Sequence, residues 1–152
     1  MESRIKEIRV YKFPLPASTV YNMSSSQVTT PESTIVEIID SKGVRGYGEA
    51  CMATPQAQLS SNEKIRSSLK ILASALIGAD PTNLSFIQNS MDEALKAESE
   101  SKAAIDIACW DLLGKTRAAT ISDLLGVSSN KQQSYRHRTP TPQPSLSLRT
   151  IL

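Results

Sequence analysis

The feature that most constrains this chain is the segment from residue 102 to 117, which reads KAAIDIACWDLLGKTR. Its apolar side chains recur at helical spacing and spread around much of the cylinder, as they do in a helix enclosed on several sides. The segment also carries two carboxylates, Asp106 and Asp111, and the only tryptophan, Trp110. Since a buried carboxylate is costly unless it is paired, we predict a buried helix whose aspartates find partners on other elements.

The spacing of the two aspartates argues against a shared catalytic role. Asp106 and Asp111 are five residues apart, which places them roughly 140° apart around a helix axis. Two carboxylates so arranged cannot both face one metal ion or one substrate. We therefore interpret both as structural, and we interpret Cys109 and Trp110 as core residues rather than reactive ones.

Composition limits the chain to about one ordinary globular domain. It has 152 residues, of which 39% are hydrophobic and 21% charged, enough to build a core. The formal net charge of +2 is weak, and the basic character lies in the tail, because no acidic residue follows Asp123. Aromatic residues are scarce and no helix has a basic face, so we predict no nucleic-acid interface.

Cysteine usage and hydropathy bear on cofactors and location. Cys51 and Cys109 lie far apart, without C-x-x-C spacing, in a chain with one histidine, His137, which excludes a zinc site of the usual kind. A disulfide stays open, but reduced thiols are favoured because the chain shows no secretory segment. No apolar run approaches the ~20 residues that span a bilayer. We expect a cytoplasmic protein with no metal bound by this chain and no membrane partner.

Three strands are predicted in the first third of the chain. Residues 4–15 alternate imperfectly, which suggests a bulge near Tyr11. Residues 33–40 are rich in β-branched side chains, and residues 44–50 follow after a turn, so these two stretches should form an antiparallel hairpin.

The second strand of this hairpin carries two glycines and an acid. Gly46 and Gly48 are two residues apart and share a face, where the missing side chains would let another element approach closely. We interpret Glu49 as a solvated or paired carboxylate at the strand end rather than as a catalytic acid.

Two polar stretches separate these elements and are predicted to be loops. They cover residues 17–32 and residues 51–60. A sixteen-residue loop inside a compact domain is typical of lids and binding loops, or of disorder, so the first stretch carries a functional hint.

Helices follow the strands. We predict a helix capped by Asn62 and stopped at Gly78, a second helix over residues 84–96, the helix from residue 102 closed near Gly114, and a short one over residues 121–125. Strands followed by helices predict an α+β fold, a three-stranded antiparallel sheet packed against a bundle of helices. Residues 127–152, rich in Ser, Thr, Pro and Gln, are predicted to be a disordered tail.

The residues of this predicted domain resemble a known family. Residues 103–115 (AAIDIACWDLLGK), the strand end at residues 46–50 (GYGEA) and residues 122–126 (SDLLG) are similar to the amino-terminal part of the mandelate racemase and muconate lactonising enzyme group of the enolase superfamily. The resemblance covers about residues 4–126. Within the group, the chain looks closest to members that racemise or dehydrate proline derivatives such as cis-3-hydroxyproline.

The resemblance implies that residues 1–126 are a capping domain over the mouth of a (β/α)8 barrel. In the family a barrel lysine or histidine removes the proton α to a substrate carboxylate, and Mg²⁺ held by barrel carboxylates stabilises the enolate. A barrel needs ~200 residues or more, whereas 26 residues follow Gly126 here, without an acidic residue. No catalytic lysine or metal ligand of the family can therefore be assigned to this chain, which has the look of a truncated product.

What the resemblance implies for substrate binding is confined to the two loops, which fold over the barrel mouth in the family. We expect Tyr21, Met23, Met52 and Thr54 to face a small carboxylate substrate. Two hypotheses follow. The chain is the cap of a racemase or dehydratase, inactive by itself, or it is a non-catalytic, cap-only interaction or regulatory protein. In either case the apolar surface of the helix from residue 102 would promote self-association.

Overall fold

The computed structural model describes residues 3–14, 21–23, 26–28, 32–51 and 55–126. The elements are β1 (Ile5–Pro14), β2 (Tyr21–Met23), β3 (Ser26–Val28), β4 (Glu32–Asp40), β5 (Arg45–Cys51), α1 (Pro55–Leu76), α2 (Leu84–Ala94), α3 (Ser99–Arg117) and α4 (Ile121–Leu124). The architecture is the predicted α+β fold, an antiparallel sheet with the order β1-β4-β5 and helices packed on one face. The disorder predicted for residues 127–152 concerns residues outside the described ranges.

The register of the sheet sets which side chains share a face. Glu37 at the centre of β4 stands between Arg9 of β1 and Tyr47 of β5. The irregularity of β1 lies between Ile5 and Glu7, so the prediction of a bulge near Tyr11 was wrong. From Glu7 onward β1 pairs residue by residue with β4.

One further hairpin was not predicted. Strands β2 and β3 pair antiparallel, with Tyr21 opposite Val28 and Met23 opposite Ser26. They lie within residues 17–32, which we expected to be a loop. The mostly polar sequence there lacks the apolar alternation that signals a strand, and it was therefore missed.

The core lies between the sheet and the three long helices. Val36 and Ile38 of β4 are fully buried against the apolar stripes of the helices. These stripes are Ile65, Leu69, Leu72 and Leu76 of α1, Ile87 and Met91 of α2, and Ala104, Ile105, Ala108, Cys109 and Leu112 of α3. All three helices therefore contribute apolar side chains to one core with the sheet.

Three helix boundaries differ from the predictions by three residues or more. Helix α1 begins at Pro55, seven residues before Asn62, because proline suits the first helical position and its missing N–H would be unbonded there anyway. Asn62 is thus a buried residue inside the helix, not its N-cap. Helix α3 begins at Ser99 and continues past Gly114 to Arg117, where Ala118 takes the left-handed conformation that ends it.

Helix α3 lies directly on β5, and the two glycines make this contact possible. A β-carbon on Gly46 would lie 2.1 Å from the carbonyl oxygen of Ala108, and one on Gly48 would lie 1.9 Å from that of Ala104. No side chain fits at either position. The predicted close approach of another element to this face is confirmed, and that element is α3.

Candidate functional site

The two segments that the sequence linked to substrate binding leave the sheet at the same end. Pro14 pairs with Glu32, which frames residues 15–31, and Ser33 pairs with Cys51, after which residues 52–54 follow. The roots of the two segments are therefore neighbours across β4. We call this end of the sheet the loop base.

The structure places the four predicted substrate-facing residues only in part. The backbones of Tyr21 and Met23 lie in β2, and their side chains are outside the described part of the structure. Met52 and Thr54 lie outside the described residues altogether. Their contact with a substrate stays a prediction.

Glu32 is the hub of the loop base, a role that the sequence did not indicate. Its carboxylate accepts from Lys12 Nζ of β1 at 2.6 Å and from Arg66 Nη1 of α1 at 2.7 Å. Asn62 Nδ2 donates to its backbone carbonyl at 3.3 Å. Burial alone would raise the pKa of Glu32, but the hydrogen bonds from Lys12 and Arg66 outweigh it and lower the pKa below its ordinary value. Strand β1, strand β4 and helix α1 are thus joined through one ionised side chain.

A second carboxylate at this end is also paired. Ser33 Oγ donates a short hydrogen bond to Glu49 Oε1 across β4 and β5. This agrees with the interpretation of Glu49 as a strand-end carboxylate with a structural partner.

Asp111 finds the partner predicted for it, on strand β5. The N–H of Tyr47 donates to Asp111 Oδ2 at 2.9 Å, and Lys115 Nζ lies 2.6 Å from the same oxygen. Lys115 Nζ also donates to the carbonyl of Arg45 at 2.8 Å and lies 5.0 Å from the centre of the Tyr47 ring. Backbone groups on the outer edge of β5 are therefore satisfied by two side chains of α3, which fixes the helix on the strand.

Asp106 does not have the partner predicted for it among the described residues. It lines an open cavity of about 490 Å³ together with Lys102 and Asp92, and these two form an ion pair at 2.6 Å. Burial raises the pKa of Asp106 above its ordinary value. Asp106 is only partly covered in the structure, so its carboxylate keeps contact with solvent and the expectation of a fully buried pair at this position was wrong.

Cys109 is part of the core, as predicted. Its side chain is fully buried between α3 and the sheet, and burial, with a smaller contribution from the charge of Asp106, raises the pKa of its thiol to about 12. A thiol with such a pKa is protonated at neutral pH and is not a nucleophile. Cys51, in contrast, is exposed at the end of β5.

The sheet face opposite the helices carries a polar network centred on Glu37, which the sequence did not indicate. Glu37 is only 2% exposed and accepts from Tyr11 Oη at 2.6 Å, Tyr47 Oη at 2.8 Å and Arg45 Nη1 at 2.8 Å. Burial would raise the pKa of Glu37, but these hydrogen bonds lower it below the ordinary value. Arg9 Nη1, at 3.7 Å, adds a further positive charge. The network fixes the outer face of the sheet and has no reactive group exposed at its centre.

The described residues contain no cluster of three or more side chains suited to hold a metal ion. In the same part of the chain, no helix combines the length and the apolar character needed to cross a bilayer.

One side of α3 is not covered by the rest of the domain. Ile107 is 49% exposed, Trp110 is partly exposed and Ala103 is exposed, and their spacing places all three on one face of the helix. The prediction of Trp110 as a core residue was therefore wrong. Ile121 and Leu125, in and just after α4, are also exposed. We call the surface formed by Ala103, Ile107 and Trp110 the open face of α3.

The antiparallel sheet and the helices packed on one of its faces define a small α+β domain. Residues 6–126 match the mandelate racemase / muconate lactonizing enzyme, N-terminal domain. The chain belongs to this family of the enolase superfamily, as the residues of α3 and β5 indicated.

Relatives with assigned activities include a dehydratase and a racemase. The chain is 41% identical over 150 residues to a cis-3-hydroxy-L-proline dehydratase of Roseibium aggregatum, with 97% of this chain and 41% of the relative covered. It is 34% identical to an N-succinyl-L-Arg/Lys racemase of Bacillus cereus, with 88% of this chain and 36% of the relative covered. The chain thus spans about two fifths of the length of these relatives, and the match to the dehydratase continues past Gly126.

Solved structures share the fold. A mandelate racemase/muconate lactonizing enzyme from Roseovarius nubinhibens superposes with a TM-score of 0.76 at 28% identity, covering 82% of this chain and 34% of that one. A dipeptide epimerase from Enterococcus faecalis, solved with Mg and the dipeptide L-Leu-L-Tyr, superposes with a TM-score of 0.72 at 27% identity, covering 80% of this chain and 34% of that one. In both cases the similarity covers about a third of the solved chain.

Proposed function

We propose that this chain is the substrate-capping part of an enzyme that removes the proton α to a carboxylate, acting on a proline derivative or an acid sugar. The observation that carries the proposal is the open face of α3, an apolar surface in a chain that spans 41% of the dehydratase relative. In intact members a surface of this kind would be covered by the remainder of the protein, which carries the chemistry.

Within this proposal the chain supplies no catalytic residue. Removal of a proton from a carbon acid needs a base and a positive charge that stabilises the developing enolate. We expect Mg²⁺ to supply that charge in the full-length enzyme, in line with the Mg bound in the dipeptide epimerase structure, and the described residues of this chain contain no cluster suited to hold it. The metal and the base would therefore be held by the part of the enzyme that lies outside the match.

The contribution of this chain would be to enclose the substrate. The loop base brings the roots of residues 15–31 and 52–54 together, held by Glu32 and its partners Lys12 and Arg66. Segments that leave one rigid edge together can cover the same ligand, exclude water from it and shape its pocket. Tyr21, Met23, Met52 and Thr54 are our candidates for the side chains that touch the substrate.

A second candidate function is a cap-only protein that binds a partner and does no catalysis. It is favoured by the same open face of α3 and by the exposed side chains of Ile121 and Leu125, since exposed apolar side chains are suited to contact with a protein partner. The two functions differ in whether the surface completes an active site.

Proton exchange in D₂O separates the two candidates. The full chain would be purified and assayed with Mg²⁺ and a proline-derived carboxylate, alone and with the part of the R. aggregatum dehydratase that lies beyond its own matching segment. We expect no exchange from either piece alone and chelator-sensitive exchange from the mixture. If the chain binds the dehydratase piece but the mixture exchanges no α-protons, the cap-only function is favoured. Turnover by this chain alone would contradict the assignment of no catalytic residue to it.

A further inference from the structure

Two buried polar atoms at the contact between β4 and α1 have no hydrogen-bond partner in the described structure, Thr34 Oγ1 and Asn62 Oδ1. Thr34 is 0% exposed and Asn62 is 1% exposed. A buried oxygen left without a partner destabilises a fold, because the hydrogen bonds that it made to water in the unfolded chain are not replaced. Thr34 and Asn62 lie on two elements that contact each other, so one small molecule between β4 and α1 could bond to both.

The two residues lie at the same end of β4. Asn62 Nδ2 donates to the backbone carbonyl of Glu32 at 3.3 Å, which places the Asn62 amide over the beginning of β4. Thr34 lies two residues further along the strand, on the face that continues into the core with Val36. Residues two apart on a strand are separated by roughly 6.6 Å on the same face. We call this region, formed by Glu32, Thr34 and Asn62, the β4–α1 polar site.

The chemistry of these atoms restricts what the site can bind. Asn62 Oδ1 only accepts hydrogen bonds, so its partner must be a donor, whereas the Thr34 hydroxyl can donate or accept. An anion is disfavoured, because it would lie against the side-chain carbonyl oxygen of Asn62. A cation is disfavoured, because Lys12 and Arg66 lie nearby and their charges already bind both carboxylate oxygens of Glu32. The suitable ligand is small, neutral and both donor and acceptor.

We propose that the β4–α1 polar site binds one water molecule, which donates to Asn62 Oδ1 and exchanges a second hydrogen bond with Thr34 Oγ1. Two hydrogen bonds of about 2.8 Å each let one water bridge oxygens up to roughly 5 Å apart. Buried waters of this kind typically make about three hydrogen bonds to groups that the protein leaves unsatisfied. The water joins α1 to β4 beside the ion pairs of Glu32, and this inference does not depend on the proposed enzymatic function.

A crystal structure of the full chain and NMR of the same protein test the proposal directly. We expect ordered density within hydrogen-bond distance of Thr34 Oγ1 and Asn62 Oδ1, and a cross-peak between a long-lived water and the Asn62 side-chain amide. Thr34→Val should abolish that cross-peak. Thr82→Val is the matched control, because its hydroxyl already donates to Asp80 Oδ1 at 2.7 Å, and it should leave the cross-peak unchanged. A direct hydrogen bond between Thr34 and Asn62, or an empty site, would overturn the proposal.

A double-mutant cycle gives a second, energetic test. Thr34→Val and Asn62→Leu should each lower the equilibrium constant for folding by roughly fivefold to a hundredfold, because each leaves the water and the other side chain incompletely bonded. The double variant should lose less than the product of the two factors, since a site that is apolar on both sides needs no water. Strictly multiplicative losses would contradict a shared ligand. If Asn62→Leu does not fold, the wild-type structure and the Thr34→Val spectrum still decide the question.

Discussion

Gly48 lies so close to Ala104 that a β-carbon at position 48 would stand 1.9 Å from the carbonyl oxygen of Ala104. This contact fixes the distance between β5 and α3 and, through it, the depth of the core. The hydrogen bond from Tyr47 N to Asp111 Oδ2 can form because the helix approaches the strand this closely. Packing and hydrogen bonding thus reinforce each other at the same interface.

Gly48→Ala should be among the most destabilising single-methyl additions in the domain. The new methyl group would overlap the backbone of α3, which cannot yield without moving the whole helix, so we expect a loss of about 3 kcal/mol or more in the free energy of unfolding. Urea denaturation followed by circular dichroism measures it. Cys51→Ala, at the exposed end of the same strand, is the control and should change stability little. Equal, small losses for both variants would show that α3 does not lie on β5 as described.

The contact between β5 and α3 could be predicted because the residue patterns that indicate it are local in the sequence. Two glycines at alternating positions of a strand, and a helix with small and apolar residues on several sides, both lie within short stretches of sequence. Asn62 shows the opposite case. Its position before an apolar stripe indicated a helix cap, yet Pro55 starts the helix and Asn62 bonds instead to Glu32, 30 positions away in the sequence. No local pattern reports a partner at that separation.

The polar network on the outer face of the sheet could not be predicted either, because its side chains come from different strands. Glu37 stands in a run of β-branched residues, and its partners come from both neighbouring strands. Only the register brings Tyr11, Tyr47 and Arg45 onto one carboxylate. The sequence therefore indicated the strand correctly and left the role of Glu37 open.

Glu37 should make the stability of the domain dependent on pH. The pKa of Glu37 is lowered in the folded protein from its ordinary value of 4.5, so its contribution is present above pH 4.5 and is lost as the pH falls through the folded-state pKa. At pH 7, Glu37→Gln should lower the free energy of unfolding by about 2 kcal/mol, since it replaces hydrogen bonds to a buried charge. Urea denaturation at several pH values between 7 and 3 measures the difference between the two proteins.

We expect that difference to shrink steadily below pH 4.5, because protonation of Glu37 removes in the wild type what the substitution removes permanently. Glu93→Gln, at an exposed position of α2, is the matched control and should follow the wild type throughout. A difference that stays constant over the whole range would mean that Glu37 is not ionised in the folded protein.

The two cysteines should differ sharply in reactivity. Cys51 is exposed, whereas Cys109 is buried and the pKa of its thiol is raised to about 12, so a disulfide-exchange reagent should label one thiol in the native protein at pH 7.5. The second thiol should react only after unfolding. Cys51→Ser should remove the fast reaction and leave the slow one. Rapid labelling of two thiols in the native state would contradict the packing of α3 on the sheet.

Self-association, which we propose for the isolated chain, should depend on the open face of α3. Ile107→Lys places a charge at the centre of that face, where the native side chain is 49% exposed, so it should reduce association without a large loss of stability. Ile71→Lys is a matched control, because Ile71 is 50% exposed on α1. Sedimentation velocity over a range of protein concentrations measures the effect. If the wild type stays monomeric, or if both variants weaken association equally, the open face of α3 is not the contact surface.

If only Ile107→Lys shifts the protein to monomer, the same substitution should also prevent the mixture with the dehydratase remainder from exchanging α-protons. That result would show that one surface serves both self-association and assembly with the dehydratase piece.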